Sequence, residues 1–344
     1  LLKRGRIEGH KVDDKSEPLE NAVFGLFTAD CVKFSRDTAV MTAASDENGY
    51  FVFDEIPYGE YIIHEIETPT GYIFSDESYP VTVSEDGDVV EITAVNKPIT
   101  IEISKVNVYG EELIGAEMQL IDSEDNVVDE WVSDGTNHVV SKLGAGEYVL
   151  KEIAAPDGYV IAADIKFSVD VYGNVTVENV DSKAVSDNGD PLITMVDDTT
   201  KVQISKQDIT TGEELPGATL QIIDEDGNVV EEWVSTNEPH MIEGKLIASK
   251  EYTLKEIIAP EGYEIANEIK FTVNADGTVT EVVMYDEHTP DLETPPTVTI
   301  DTPNTGVSAD NSAELYLVAT AVIMAFGMLI CKKNDKKQRK DDVK

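Results

Sequence analysis

Short segments in which apolar and polar residues alternate cover most of the chain up to residue 288. In one of them, YTLKEI at 252–257, the residues Tyr252, Leu254 and Glu256 share one face, because successive side chains of a strand point to opposite sides. Turn-forming pairs such as Asp226-Gly227 separate the segments. No long segment has the 3.6-residue period of an amphipathic helix. The pattern therefore predicts an all-β structure whose strands each bury one face.

The alternating segments recur along the chain as similar sequences. YIIHEIETPTGYIF at 61–74, YVLKEIAAPDGYVI at 148–161 and YTLKEIIAPEGYEI at 252–265 keep Tyr, Glu, Pro, Gly and Tyr at matching places. A spacing of about 90–100 residues suits whole domains in tandem, because solenoid repeats are much shorter. Several short strands per repeat are typical of a β-sandwich. We predict three tandem β-sandwich domains, at 4–97, 98–199 and 200–288.

The C-terminal part of the chain has a different composition. Residues 289–301 are rich in Pro and Thr and are expected to form an extended spacer. Residues 315–331 carry no charge, which predicts a transmembrane helix near the minimum length. The tail at 332–344 is basic and is predicted to lie in the cytoplasm. The first residues include neither an initiator Met nor an apolar leader, so we expect this chain to be part of a longer precursor.

The charge balance excludes one class of partner. The chain has 26 Lys and Arg against 68 Asp and Glu, a formal net charge of −42. Binding to phosphate backbones requires clustered Lys and Arg, so nucleic acid is not an expected partner. The five histidines show no metal-ligand spacing, and no nucleotide-binding or nucleophile motif is present. The sequence therefore predicts neither a metal nor a cofactor.

Each predicted domain points three ionisable or amide groups at its own core. A lysine lies on the first strand, a glutamate on a middle strand, and an Asn or Asp on the last strand. The three sets are Lys11, Glu65 and Asn96; Lys105, Glu152 and Asp197; and Lys206, Glu256 and Asp286. Burying such charges is costly unless they are paired or neutralised. Burial lowers the pKa of a lysine and raises that of a glutamate, which favours a neutral amine beside a protonated acid.

A neutral amine held against a carboxyl or amide carbon is a nucleophile with a very high effective concentration. We therefore hypothesise spontaneous isopeptide bonds Lys11–Asn96, Lys105–Asp197 and Lys206–Asp286. Glu65, Glu152 and Glu256 would be the catalytic proton shuttles. The competing interpretation is a buried, unreacted ion pair or hydrogen-bonded triad. In domain 2, Asn179 or Asp181 is an alternative acceptor; the alignment of TMVDDTT with VMYDEHT favours Asp197.

These motifs resemble the collagen-adhesin B-type repeats, also called SpaA-type prealbumin-like domains, of Gram-positive surface proteins. That family has an inward lysine before a GA-x-F/L strand, seen here as GAEMQL at 115–120 and GATLQI at 217–222. A Tyr-x-Leu-x-Glu box with Pro-x-Gly-Tyr follows, and an Asn or Asp closes the domain. Domain 1 departs from the pattern with NAVFGL at 21–26. The resemblance implies a transthyretin-like sandwich and intradomain isopeptide chemistry.

The C-terminus resembles a sortase sorting signal, which consists of a pentapeptide, an apolar span and a basic tail. The family motif is Leu-Pro-x-Thr-Gly, and this chain departs from it at the first position. The five residues are Thr302, Pro303, Asn304, Thr305 and Gly306. The resemblance implies cleavage between Thr305 and Gly306 by a sortase. The Thr305 carbonyl would then be joined to an amine of a peptidoglycan cross-bridge or of a pilus subunit.

The sequence as a whole favours a structural protein at the cell surface. The expected function is the stalk of a cell-wall-anchored Gram-positive protein, an adhesin or a pilus-associated subunit, made from a membrane-spanning precursor. The alternative is an adhesin whose repeats themselves bind host extracellular matrix or glycans. An enzyme acting on a diffusible substrate is not expected, because the three lysine sets would each react once, on their own chain.

Overall fold

The computed structural model describes residues 4–178 and 185–290, and within them the chain is all-β. The predicted sortase motif at 302–306, the transmembrane helix at 315–331 and the basic tail at 332–344 lie outside the described residues. So do most of the spacer at 289–301 and the alternative acceptors Asn179 and Asp181. Within the described ranges, no helix is long and apolar enough to cross a membrane.

The described residues contain twenty-two strands, which form three successive groups. Domain 1 contains β1 (Arg4–Asp13), β2 (Val23–Thr28), β3 (Met41–Ala44), β4 (Tyr50–Pro57), β5 (Gly59–Glu67), β6 (Ser78–Val83) and β7 (Val89–Asn96). Domain 2 contains β8 (Thr100–Asn107), β9 (Ile114–Asp122), β10 (Val127–Asp134), β11 (His138–Ser141), β12 (Gly146–Ala154), β13 (Ile165–Val169), β14 (Val175–Val177) and β15 (Leu192–Asp197). Domain 3 contains β16 (Lys201–Asp208), β17 (Thr219–Ile223), β18 (Val229–Val234), β19 (His240–Glu243), β20 (Glu251–Ile258), β21 (Ile269–Thr272) and β22 (Thr280–Asp286).

Each group forms a small and a larger sheet with one apolar core of its own. The small sheets have the strand orders β4-β1-β7, β11-β8-β15 and β19-β16-β22. The larger sheets have the orders β3-β2-β5-β6, β10-β9-β12-β13-β14 and β18-β17-β20-β21. This arrangement is the predicted sandwich, repeated three times. Because buried and exposed residues alternate along the strands, each sheet has one buried face, and the two buried faces of a domain pack against each other.

The first and last strands of every domain pair in parallel, in an equivalent register. Asn96 lies opposite Asp13, Asp197 opposite Asn107, and Asp286 opposite Asp208. The inward lysine precedes each of these partners by two residues, so it lies on the same face of the sheet as the acceptor. The fold therefore brings the two ends of a domain's sequence side by side.

Domain 1 keeps the fold despite its departures from the family pattern. Gly9 lies two residues before Lys11 on the inner face of β1. A larger residue would not fit there, because a Cβ at this position would lie 2.0 Å from the ring of Phe51. Asn21 has a φ of 67°, where domains 2 and 3 have Gly115 and Gly217 at 96° and 98°. Asn tolerates the left-handed conformation better than most residues. NAVFGL can thus form the same turn as the GA motif, with Asn21 in place of the glycine.

Candidate functional site

The three predicted residues of each domain come from two facing sheets. The lysine lies on the central strand of the small sheet, at β1, β8 or β16, and the Asn or Asp lies at the end of the adjacent last strand. The glutamate lies on an inner strand of the larger sheet, at β5, β12 or β20. The glutamate therefore reaches the lysine and its acceptor across the core.

In domain 2 the three predicted groups are in contact. The Nζ of Lys105 contacts Oδ1 of Asp197 directly and lies 3.2 Å from Oε1 of Glu152. These residues are 3%, 0% and 5% exposed, respectively. Burial raises the pKa of the Asp197 carboxyl to about 7, although the neighbouring lysine opposes the rise. Oδ2 of Asp197 accepts no hydrogen bond within the described part of the chain, so the carboxyl is poorly solvated.

Domain 3 repeats this geometry closely. The Nζ of Lys206 contacts Oδ1 of Asp286 and lies 3.2 Å from Oε1 of Glu256. All three residues are buried, with at most 3% of their surface exposed. Burial is the largest influence on Glu256 and raises its pKa. The same three residue types therefore meet twice, in two sequences that differ elsewhere.

Domain 1 has a looser arrangement. Lys11 is fully buried, but its Nζ lies 3.3 Å from the Ala94 carbonyl and 3.4 Å from the Val12 carbonyl. The side-chain amide of Asn96 donates to both oxygens of Glu65 at 3.0 Å, and its Oδ1 is buried without a hydrogen bond among the described residues. Burial lowers the pKa of Lys11 to about 8 and raises that of Glu65. The Lys11 amine therefore loses its proton more readily than that of an exposed lysine.

The sequence patterns did not predict one element of these sites, a backbone N–H that holds each glutamate. A backbone N–H ten residues after each glutamate donates to its Oε2: Ser75 to Glu65 at 3.4 Å, Ala162 to Glu152 at 2.7 Å, and Ala266 to Glu256 at 2.7 Å. The constant spacing of the Glu and Pro-x-Gly-Tyr motifs was the available signal. Because Oε2 is occupied, Oε1 is the oxygen left to face the lysine in domains 2 and 3.

Both tryptophans pack beside the cores, and each has a histidine partner that the sequence did not predict. Trp131 stacks on His138 with ring centroids 4.0 Å apart, and Trp233 stacks on His240 at 4.5 Å. Each histidine follows its tryptophan by seven residues. In the described ranges, His, Cys, Asp and Glu side chains form no group that could hold a metal ion. The buried lysine sites are thus the main chemical feature of the described chain.

A sealed site of this kind has the parts needed for amide formation. It contains an amine, a carboxyl or amide carbon within reach, and a carboxyl that can move a proton between them. Exclusion of water strengthens the electrostatic interactions of these groups.

Comparison with known proteins gives relatives of low identity. The trypsin-resistant surface T6 protein of Streptococcus pyogenes serotype M6 is 28% identical over 96 residues, which are 28% of this chain and 17% of that protein. The Bacillus anthracis TIE protein is 23% identical, with a TM-score of 0.41, over 83% of this chain and 51% of that one. The major pilin SpaD of Corynebacterium diphtheriae is 14% identical, with a TM-score of 0.38, over 84% of this chain and 98% of that one.

The domain family itself matches three times. Its description, "SpaA: Prealbumin-like fold domain", matches residues 5–98, 99–183 and 200–288, which together make up more than half of the chain. The matches fall on the three sandwiches described above. The chain spans about half the length of the TIE protein and less than a fifth of the T6 protein that it matches. The chain belongs to the SpaA prealbumin-like family.

Proposed function

We propose that this chain is the stalk of a cell-wall-anchored Gram-positive surface protein, stabilised by one isopeptide bond in each domain and attached by a sortase. The observation that carries the proposal is the contact of Lys105 with Asp197 and of Lys206 with Asp286, each beside a buried glutamate. The domains would be 4–97, 98–199 and 200–288. β15, which carries Asp197, is assigned to domain 2 because it pairs with β8.

The bond would form in two proton-coupled steps. In domain 2 the neutral amine of Lys105 attacks Cγ of the protonated Asp197 carboxyl and gives a tetrahedral carbon. Glu152 takes a proton from the nitrogen and delivers it to the departing hydroxyl, so one water leaves and an amide remains. Domain 3 would follow the same course with Lys206, Glu256 and Asp286. In domain 1 the leaving group from Asn96 would be ammonia. Each glutamate ends in its starting protonation state, and each site turns over once.

Mass spectrometry of the full chain tests the bonds. We expect an intact mass lower than that of the sequence by two waters and one ammonia, and branched peptides that join each lysine to its acceptor. The matched control is Glu152→Ala, which should restore one water and remove only the Lys105–Asp197 peptide. A mass equal to that of the uncross-linked sequence, with no branched peptide, would reject the bonds.

Attachment by a sortase is supported by the sequence motif at 302–306 and the apolar and basic segments that follow it. The T6 relative is a surface protein, which supports this location. The expected product is a chain that ends at Thr305, with its carbonyl joined to a cell-wall or pilin amine. A chain extracted from the wall with Gly306 and residues 315–331 still attached would contradict the proposal, and Thr305→Ala is the variant that should remain unprocessed.

A further inference from the structure

The loop that follows each glutamate holds that glutamate in place. It contains the Pro-x-Gly-Tyr turn and ends at the N–H that donates to Oε2, which in domain 2 is Ala162, 2.7 Å from Glu152. This hydrogen bond fixes the carboxyl so that Oε1 lies 3.2 Å from Lys105. A displacement of the loop would move the glutamate relative to the amine. A shift of about 1 Å in a reacting group can slow a reaction by about a hundredfold.

The tip of the same loop supports the following domain. The carbonyl of Gly158 accepts a hydrogen bond from the Thr200 N–H at 2.9 Å, just before β16. A Cβ at Gly158 would lie 2.1 Å from the carbonyl oxygen of Gly244, in domain 3. Domain 1 meets domain 2 in the same way, because Ile99 donates to the Gly71 carbonyl at 2.9 Å and a Cβ at Gly71 would lie 2.5 Å from the Lys142 carbonyl oxygen.

Domain 3 keeps the backbone hydrogen bond at the tip of its loop, since the Gly262 carbonyl accepts from the Thr289 N–H at 2.9 Å, but the rest of its brace differs. Gly262 has the same left-handed conformation as Gly158, with φ of 89° against 85°, but no described atom lies within 4 Å of a Cβ placed there. Instead, the Tyr263 hydroxyl donates to Asp208 at 2.8 Å, and the ring stacks on His288 with centroids 4.3 Å apart. The brace is formed within domain 3 itself.

We infer that the contact with the following domain sets the position of the glutamate in domains 1 and 2, so that formation of their isopeptide bonds depends on the docking of the next domain. This inference rests on the proposed function. The Pro-x-Gly-Tyr loop is the positioning element, and the following domain acts through it. In domain 3, Tyr263 and Asp208 take over this role, and the bond forms independently of any later domain.

Two glycine variants separate docking from backbone strain. Gly158→Ala and Gly262→Ala impose the same strain, because both positions have a positive φ. Of these two variants, only Gly158→Ala adds a Cβ that collides with another domain. The full chain is made by cell-free translation, samples are quenched in acid at intervals, and the branched peptides of domains 2 and 3 are quantified by mass spectrometry. We expect Gly158→Ala to slow the Lys105–Asp197 bond by about tenfold or more, because the glutamate is misplaced. We expect Gly262→Ala to change the Lys206–Asp286 bond by less than about twofold, since it meets no neighbour.

A third variant covers the case in which Gly158→Ala prevents domain 2 from folding. Tyr263→Phe keeps the ring and removes the hydrogen bond to Asp208, so it should slow the Lys206–Asp286 bond and leave the Lys105–Asp197 bond unchanged. Equal rates in the unmodified chain and in all three variants would overturn the inference and leave the proposed function intact. The absence of branched peptides from the unmodified chain would instead reject the proposed function.

Discussion

Removal of the proton shuttle from domain 2 should lower the stability of that domain alone. Glu152→Gln keeps the size of the side chain but cannot carry a proton from the amine to the leaving hydroxyl, so Lys105 and Asp197 should stay unbonded. These residues are separated by 92 positions. In the chain-entropy model, a cross-link that closes a loop of this length stabilises the folded state by about 4–5 kcal/mol. That value is a large part of the stability of a typical small domain.

Thermal unfolding can follow this loss in one domain at a time, because Trp131 and Trp233 pack beside the cores of domains 2 and 3. For a domain of about 100 residues, 1 kcal/mol corresponds to roughly 4–8 °C in Tm, so the transition should fall by about 16–40 °C. The two tryptophans are distinguished by recording each variant in a Trp131→Phe or Trp233→Phe background.

The matched control is Glu256→Gln, which should shift the Trp233 transition and leave the Trp131 transition in place. Two results would refute the reasoning. One is a Glu152→Gln chain that still loses the water of the Lys105–Asp197 bond. The other is a chain that lacks this bond but melts within a few degrees of the unmodified protein.

Three further outcomes are expected. Burial lowers the pKa of Lys11 to about 8. The neutral fraction of its amine, and with it the rate of bond formation in domain 1, should therefore rise about tenfold per pH unit between pH 6 and 7. A pH-jump series read by mass spectrometry checks this, and a flat profile contradicts it. Asn96→Asp should still cross-link but release water instead of ammonia, so its cross-linked product should have the same mass as that of the unmodified chain; a mass higher by one water would show that the amide is required. Ser235→Ala should cost about 1–3 kcal/mol in urea unfolding, because the Ala218 N–H donates to the Ser235 hydroxyl at 2.9 Å; no loss would indicate another acceptor.

The direction of side chains in the strands could be predicted from the sequence. In domain 3, Tyr252, Leu254 and Glu256 are buried as their alternation indicated. Lys206 contacts Asp286 because the first and last strands of the domain pair in parallel; the sequence suggested this proximity only through the threefold recurrence of the residues and the family resemblance. These predictions worked because a period of two residues fixes the face of every side chain once one face is buried.

The remaining features depend on contacts between segments that no local pattern links. In domain 1, the amide of Asn96 faces Glu65 instead of Lys11, and this depends on rotamer choices inside the core. In domain 2, Glu102 is buried and accepts hydrogen bonds from Asn137, Ser186 and Asn188. Two of these donors, Ser186 and Asn188, lie just before β15, and their role became visible only when the fold placed them beside β8.

The contact between Lys105 and Asp197 also bears on resistance to proteases. Four lysines and no arginines lie between these residues, so trypsin can cut this stretch at Lys142, Lys151, Lys166 or Lys183. Once the amide has formed, a single cut at any of them opens a ring and does not divide the molecule. A nicked domain would keep both pieces covalently joined, and its strands could pair again without diffusing apart.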